Sequence, residues 1–521
     1  MKKPLNMSRF NTDETVDAVV IGTGAGGAPL LWRLAKAGLR VVALEAGPWF
    51  ENPAEEFATD EIAASKIYWT EERLSGGDDP TAFGGNNSGT GVGGSTLHWG
   101  AYVPRPDARD LQLHSNDGVA ADWPMTLDEL TPYFVEVEEF IGVSGPAQYP
   151  WDPSRTYPLP PLPLNSSAVL MAKGAESLGI RTAHAPIAAT SQTYTHPEYG
   201  TRNGCVNRGY CHQGCRNGSK ASMDVTYLPA ALKHGAEIRE ESFVYGVERD
   251  TTGRITAVLY TDREGTERRQ KTSHVFLCAG GVETPRQLLH WGIANSSGLV
   301  GRNFMAHIST QVWATMGEET RPYKGFPATL ITEDFMRAKD ADFAGGYLLQ
   351  SYGILPVTWS EQVMSGRRDL MGHALVDYLS KYNSVAGIGM NGDTLPNADN
   401  RITLSNEKDG RGLPKPLITF SLSQNEKKMS DHAERNMRAI LQAAGGSDLW
   451  SSQRTAHTIG TCRMGTNPSA SVVNGVGQSW DVPNLYIADN SVFPTSLAAN
   501  PALTIMALSL RTADAFLASL P

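Results

Sequence analysis

Two stretches of this chain carry residue types and spacings suited to chemistry. Val16 to Gly47 reads as an apolar run (Ala18 to Ile21), the glycines Gly22, Gly24, Gly26 and Gly27, and a helical pattern through Leu30, Leu31, Leu34 and Ala35. A stop at Gly38 and a second apolar run, Val41 to Leu44, lead into Glu45. The spacing predicts strand, glycine turn, helix and strand, with the fingerprint of a dinucleotide site. Gly22 permits the tight turn, Gly24 lets the backbone approach a pyrophosphate, and Gly26 or Gly27 lets helix and strand pack closely. The helix N-terminus offers free N–H groups to the phosphates. Glu45, nineteen residues after Gly26, is placed to accept from ribose hydroxyls. The competing reading is a glycine turn in a structural α/β unit.

The second stretch is C-terminal: AHTIGTCRMG (Ala456 to Gly465), then NLYIADNSVFPTSLAANPALTIMALSLRTADAFL (Asn484 to Leu517). A neutral imidazole titrates near neutrality and suits a general base, so His457 is a candidate; the alternative is a packed histidine in a glycine loop. LYIAD predicts a buried strand ending in Asp489. Taken alone, Asn500 before Pro501 reads as the N-cap of the final helix, with Pro501 at its first position.

Between them, Gly76 to Gly94 holds eight glycines in nineteen residues, which predicts a loop lying against something flat or charged. His98 and Trp99 end it, as a packed pair or as a site. Cys205, Cys211 and Cys215, with His212 among them, are spaced unlike the paired Cys-x-x-Cys of zinc sites or the usual iron–sulfur runs. They are read as a glycine-rich turn with buried thiols, and no metal is assigned. Lys220 and Ser222 follow near a helix start.

These residues need elements to position them. The pattern predicts a helix capped by Thr126 and a proline-rich connector from Tyr157 to Asn165. A β-meander follows from Glu241 to Gly280, leading into a helix with Pro285 near its first turn. From about 305 to 424, short runs (QVWATMG, ATLITED, YLLQSYGIL, RITLS, PLITFSLS) predict one antiparallel sheet. Gln424 to Ala444 is an amphipathic helix with a core stripe. At 521 residues and 19% charged, the chain suits a large α/β domain with a second lobe threaded through it. A formal charge of −10 argues against nucleic acid or anionic membrane as partners. No long apolar run predicts a membrane span, and the N-terminus shows no apolar signal region, so the expected location is cytoplasmic. Five cysteines read as thiols.

Together the fingerprint, VGGSTLHWG, CAGGVETPRQLL, HTIGTCRMG and LYIADNSVFP…NPALTIMALSLR resemble the glucose–methanol–choline (GMC) family of flavin oxidoreductases over nearly the whole chain. Its sugar-oxidising branch, including pyranose 2-oxidase and glycoside 3-oxidases, is the most similar. The resemblance implies a Rossmann-like FAD-binding α/β domain with β-meander, over 14–304 with lobe insertions near 105–200. It further implies an antiparallel-sheet substrate-binding lobe at 305–450 and a return to the FAD domain at 451–521. The implied cofactor is FAD, held without a covalent link. Gly22, Gly24, Gly26, Gly27, Glu45, Gly93, Gly94, Ser95, His98, Val244, Asp489, Pro501 and Ala502 fall at cofactor positions. His457 matches the catalytic base and Asn500 its partner. The final helix would aim its positive end at the flavin, whose N5 receives the hydride.

The implied activity is oxidation of a secondary hydroxyl of a pyranose or glycoside, at carbon 3 with carbon 2 as the alternative, with oxygen or a quinone as electron acceptor. The competing activities are a polyol or aldonate dehydrogenase subunit serving a quinone or cytochrome, and a GMC-type hydroxynitrile lyase. A homo-oligomer and a separate electron-transfer chain are both left open.

Overall fold

A computed structural model describes residues 9–81 and 88–521. Two sheets carry the fold, and the chain crosses between them several times.

The first sheet grows from the predicted unit. Val16–Ile21 lies between Val41–Leu44 and Glu267–Leu277, parallel to both, and Glu237–Arg239 extends the sheet beyond Val41–Leu44. Val41–Leu44 is buried throughout and Val16–Ile21 at all but Asp17, as parallel strands covered on both faces must be. Glu267–Leu277 serves two structures. Its first half pairs antiparallel with Ile255–Thr261 in the meander, and its second half pairs parallel with Val16–Ile21 and Leu485–Ile487. Helix Gly27–Lys36 packs against Tyr227–Lys233 and the final helix Ala502–Ser519. That last helix has the length and apolarity to cross a membrane, with mean hydropathy 1.2, yet most of it is enclosed by the fold.

The helix after the meander, Gly280–Trp291, takes Pro285 into its interior rather than its first turn. Pro285 has no N–H to give the Gly281 carbonyl four residues back. Thr461 Oγ1 donates to that carbonyl instead, at 3.1 Å. Thr461→Val keeps the shape and orphans the carbonyl, so it should lower the free energy of unfolding by about 1–3 kcal/mol, read as a lower urea midpoint.

The second sheet is antiparallel and runs Ser447–Ser452, Gln311–Thr315, Val385–Gly392, Tyr347–Tyr352, Leu330–Thr332 and Ala183–His184. Met305–Ile308 pairs with Val385–Gly392 and with Thr455–Ile459. Helix Gln424–Ala443, with Ser423 and Glu426 as a capping box, lays its predicted stripe on this sheet. One expectation changes. RITLS and PLITFSLS do not join this sheet; Arg401–Lys408 and Pro414–Thr419 form their own with Leu74–Gly76. The strand holding His457 pairs within the second sheet, and Leu485–Ile487 pairs within the first.

Candidate active site

A cavity of about 780 Å³ lies between the two sheets, from the Gly22–Gly26 turn at one end to His457 and Asn500 at the other. The glycines divide their tasks. Gly22 has φ +95°, and a Cβ there would lie 2.6 Å from the Cys278 carbonyl oxygen. Gly24 is open: a Cβ added to it would have Gly94 Cα, at 3.8 Å, as its nearest neighbour. Gly26 packs on the Ala488 carbonyl of the C-terminal strand, and Gly27 packs on the Gly22 carbonyl beneath the turn. Helix Gly27–Lys36 has no side-chain cap; Ala28 N already donates to the Gly24 carbonyl (3.0 Å), so it is the N–H groups ahead of Ala28 that an anion can use.

Glu45 lines the cavity, buried, but its carboxylate already has protein donors. Thr23 N and Oγ1 reach one oxygen at 3.0 and 2.8 Å, and Gly47 N the other at 3.1 Å. Burial pushes its pKa up against those bonds. Its first task is therefore to brace the glycine turn, and any ribose contact uses the lone pairs left over. Gly93 (φ +114°) donates to Thr23 Oγ1 and sits behind the wall, while Gly94 and Ser95 face the cavity. Asp489 joins two helix starts, accepting from Gly280 N (2.8 Å), Thr284 Oγ1 (2.6 Å) and Ser491 N (2.8 Å). Val244, Pro501 and Ala502 also line the cavity.

His98 lies in the wall with Nε2 buried and unpartnered, and its carbonyl accepts from His212 Nδ1 at 3.0 Å. Burial lowers its pKa to about 3, with the Lys220 charge adding to the effect. Lys220 is a residue whose importance the sequence did not signal. Its side chain is 1% exposed, and Nζ donates to the carbonyls of Leu97 (2.8 Å), Trp99 (3.2 Å) and Cys211 (2.6 Å). It ties the His98 loop to the cysteine turn. Burial raises the pKa of the Cys205 and Cys211 thiols in that turn, and Cys215 Sγ lies 3.5 Å from Ser219 Oγ.

At the far end, His457 sits on a β-bulge. Ala456 pairs with His307 and Ile459 with Met305, so His457 and Thr458 together face Ala306. His457 takes φ +63° there. The bulge turns its ring out of the pleat and into the cavity. Burial holds its pKa well below 6.5, so the imidazole is neutral at pH 7. Asn500 is not a cap: no side-chain bond closes the final helix, and its Oδ1 is buried without a partner. The strap leading to it is held by the second sheet, with Asn391 Nδ2 on the Ala498 carbonyl (2.9 Å) and Asp393 on the Ser496 hydroxyl.

Asp393 is 1% exposed, and its second oxygen has no partner. Burial, reinforced by Asp110, pushes its pKa up to about 7. The folded state therefore holds this proton where the unfolded chain has lost it, and stability declines as pH rises from about 4 through 7. Asp393→Asn keeps an acceptor for Ser496 and removes the charge. Its melting temperature should exceed that of the parent at pH 8, and the gap should close by pH 5.

The cavity, of about 780 Å³, is lined by open backbone and an uncapped helix start as well as by a neutral imidazole and the Asn500 amide. The comparisons agree with that geometry. The GMC oxidoreductase family models match residues 85–309 and 396–509. The fructose dehydrogenase large subunit of Gluconobacter japonicus is 29% identical, covering 97% of this chain and 98% of its own. The 2-methyl-1,2-propanediol dehydrogenase of Mycolicibacterium austroafricanum is 30% identical, covering 97% and 95%. A structure of Aspergillus oryzae formate oxidase, solved in connection with FAD modification, shares the fold with TM-score 0.69 at 15% identity over 98% and 99% of the two chains. Two family models in chain order, and a relative at this identity along nearly the full length, establish that the chain belongs to the GMC oxidoreductase family and is an FAD-dependent oxidoreductase.

Proposed function

We propose that the enzyme oxidises a secondary hydroxyl of a pyranose or glycoside, at carbon 3. The observation that carries this reading is the set of polar side chains lining the cavity together with His457 and Asn500: Gln311, Gln350, Tyr352 and Arg454. A wall of amide, hydroxyl and guanidinium groups suits a ligand rich in hydroxyls. His457 takes the hydroxyl proton while Asn500 holds the same oxygen. Bound FAD supplies the acceptor for the carbon hydride. The glycine turn, Ser95 and Val244 hold the nucleotide, and the uncapped final helix points its positive end at the reacting end of the cavity. The likeness to dehydrogenases of fructose and of a diol supports alcohol substrates of this kind.

One observation favours a second substrate, an aldonate. Arg454 lines the cavity and makes no ion pair among the described residues, which suits a carboxylate on a polyol chain. The test is an anaerobic titration with glucose, a methyl glycoside, fructose and gluconate, following the flavin bands and then locating the new carbonyl by NMR. Bleaching by the pyranoses, with a 3-keto product, supports the first reading. Bleaching by gluconate alone selects the second, and bleaching by none of them overturns both. Admitting air then separates oxygen from a quinone as acceptor.

A further inference from the structure

We propose that His307 is a positioning residue that sets the tautomer of His457 and so makes its Nε2 the proton acceptor. The proposal deepens the alcohol-oxidation reading and rests on it.

His307 is fully buried on strand Met305–Ile308. Its Nε2 lies 3.0 Å from the Ser496 carbonyl oxygen and 2.8 Å from that of Leu497. Carbonyl oxygens only accept, so this nitrogen carries the hydrogen. Burial brings the His307 pKa down to about 4, and a neutral imidazole protonated on Nε2 has a bare Nδ1. That Nδ1 is 2.8 Å from Nδ1 of His457. Two bare nitrogens do not bond, so His457 donates from Nδ1. Its own Nε2 then carries a lone pair toward the cavity, where the substrate hydroxyl must arrive.

The two backbone carbonyls therefore act across two rings. They orient His307, and His307 orients His457. Leu497 adopts φ +66°, which turns its carbonyl onto His307 and continues the strap toward Asn500. One buried side chain thus registers the base against its amide partner. The titratable and charged groups around the pair are Arg454 on the His457 side, Tyr352 in the cavity wall, Asp393 behind Ser496, and Asp489 below Asn490, whose amide reaches the Thr458 carbonyl.

The test compares three variants of the FAD-loaded enzyme by anaerobic stopped-flow reduction across pH, with flavin spectra and melting curves as controls. His307→Leu removes the acceptor and should slow reduction about 10²–10⁴-fold, the scale for a histidine base held in the wrong tautomer. His307→Asn places a carbonyl oxygen near the lost Nδ1 and should recover to within about 10-fold of the parent. His307→Asp should move the acid limb of the rate profile to higher pH by a unit or more, because a carboxylate against Nδ1–H favours the imidazolium. Nitrogen-15 spectra of the histidine-labelled parent, with signals assigned by their loss in His307→Leu and His457→Ala, should show the His457 ring bare at Nε2 and the His307 ring bare at Nδ1. A His307→Leu enzyme that reduces its flavin within about 3-fold of the parent, with the same profile, overturns the proposal. If that variant does not fold, an unmoved profile in His307→Asp overturns it equally. A parent enzyme that no alcohol reduces sinks the alcohol reading instead, and the nitrogen-15 spectra then decide the tautomer alone.

Discussion

Replacing His457 by alanine should leave a folded, yellow protein whose flavin is reduced by substrate about 10²–10⁴-fold more slowly, the range lost with a positioned general base. The ring is not a core filler. It lines the cavity, and the bulge that aims it is held by pairing at Ala456 and Ile459 rather than by the imidazole. Removal of the side chain therefore costs chemistry more than packing. The pH dependence gives a second reading of the same group. Burial keeps His457 neutral down to well below 6.5, with the neighbouring ring of His307 adding to the effect. In the parent, the rate should be flat from about pH 9 to 6.5 and fall only at lower pH, as the imidazole takes up a proton before substrate arrives. In His457→Ala that limb should vanish, leaving a slow rate that depends on hydroxide or is rescued by added imidazole. Anaerobic stopped-flow across pH checks both. An undiminished rate would place the base elsewhere in the cavity.

The same buried histidines weigh on stability. His98, His212 and His307 are held by burial at about 3, 4 and 4, below the unfolded value of 6.5. The unfolded chain binds more protons than the folded one across that interval, so their contribution is complete above pH 6.5 and is lost as pH falls toward 4. Asp393 acts in the opposite sense over much of the same range.

Local signals in the sequence reached the first βαβ unit, the meander, the Thr126 helix and the Gln424 helix, because each has its own period, turn residues or cap. The cofactor end of the site follows from them, since glycine turn, helix and strand are contiguous. The other end is built from distant segments. Nothing in FMAHIST marks His307, whose partner lies 150 residues on, and alone it reads as a strand histidine. Asn500 followed by Pro501 has the form of a cap, and only the strap that holds it by the Ala498 carbonyl shows it turned to the cavity. The central strand Val385–Gly392 escapes the β pattern because three of its residues that pack on neighbours are glycine. A Cβ at Gly387 would lie 2.5 Å from the Trp313 ring, and Gly389 packs on the Tyr352 ring. Space for two aromatic side chains is bought there with weak strand propensity, which no period-2 template detects. RITLS and PLITFSLS are real strands, but which sheet they join is decided by Leu74–Gly76, more than 300 residues earlier in the chain.

Gly24→Ala should yield a folded protein without colour, and the reason lies in how differently three glycines of one turn are used. At Gly26 an added methyl lands on the Ala488 carbonyl, and at Gly22 it meets the Cys278 carbonyl oxygen at 2.6 Å from a backbone at φ +95°. Alanine at either site forces strands apart and should be seen as lost soluble protein. At Gly24 the backbone is outside the left-handed region, and the nearest heavy atom to an added Cβ is Gly94 Cα at 3.8 Å, an ordinary contact. The fold can accept that methyl. The ligand cannot, because the methyl stands at the open helix N-terminus where the fingerprint brings a pyrophosphate against bare backbone. Affinity for FAD should fall by roughly 100-fold or more, about 2.7 kcal/mol. Calorimetry with FAD measures the loss directly, and the melting curve of the flavin-free variant should match that of the parent stripped of flavin. A yellow, fully loaded Gly24→Ala protein would mean that the pyrophosphate does not approach this turn, and a Gly24→Ala protein that fails to fold would mean that Gly24 serves the strand packing assigned to Gly26.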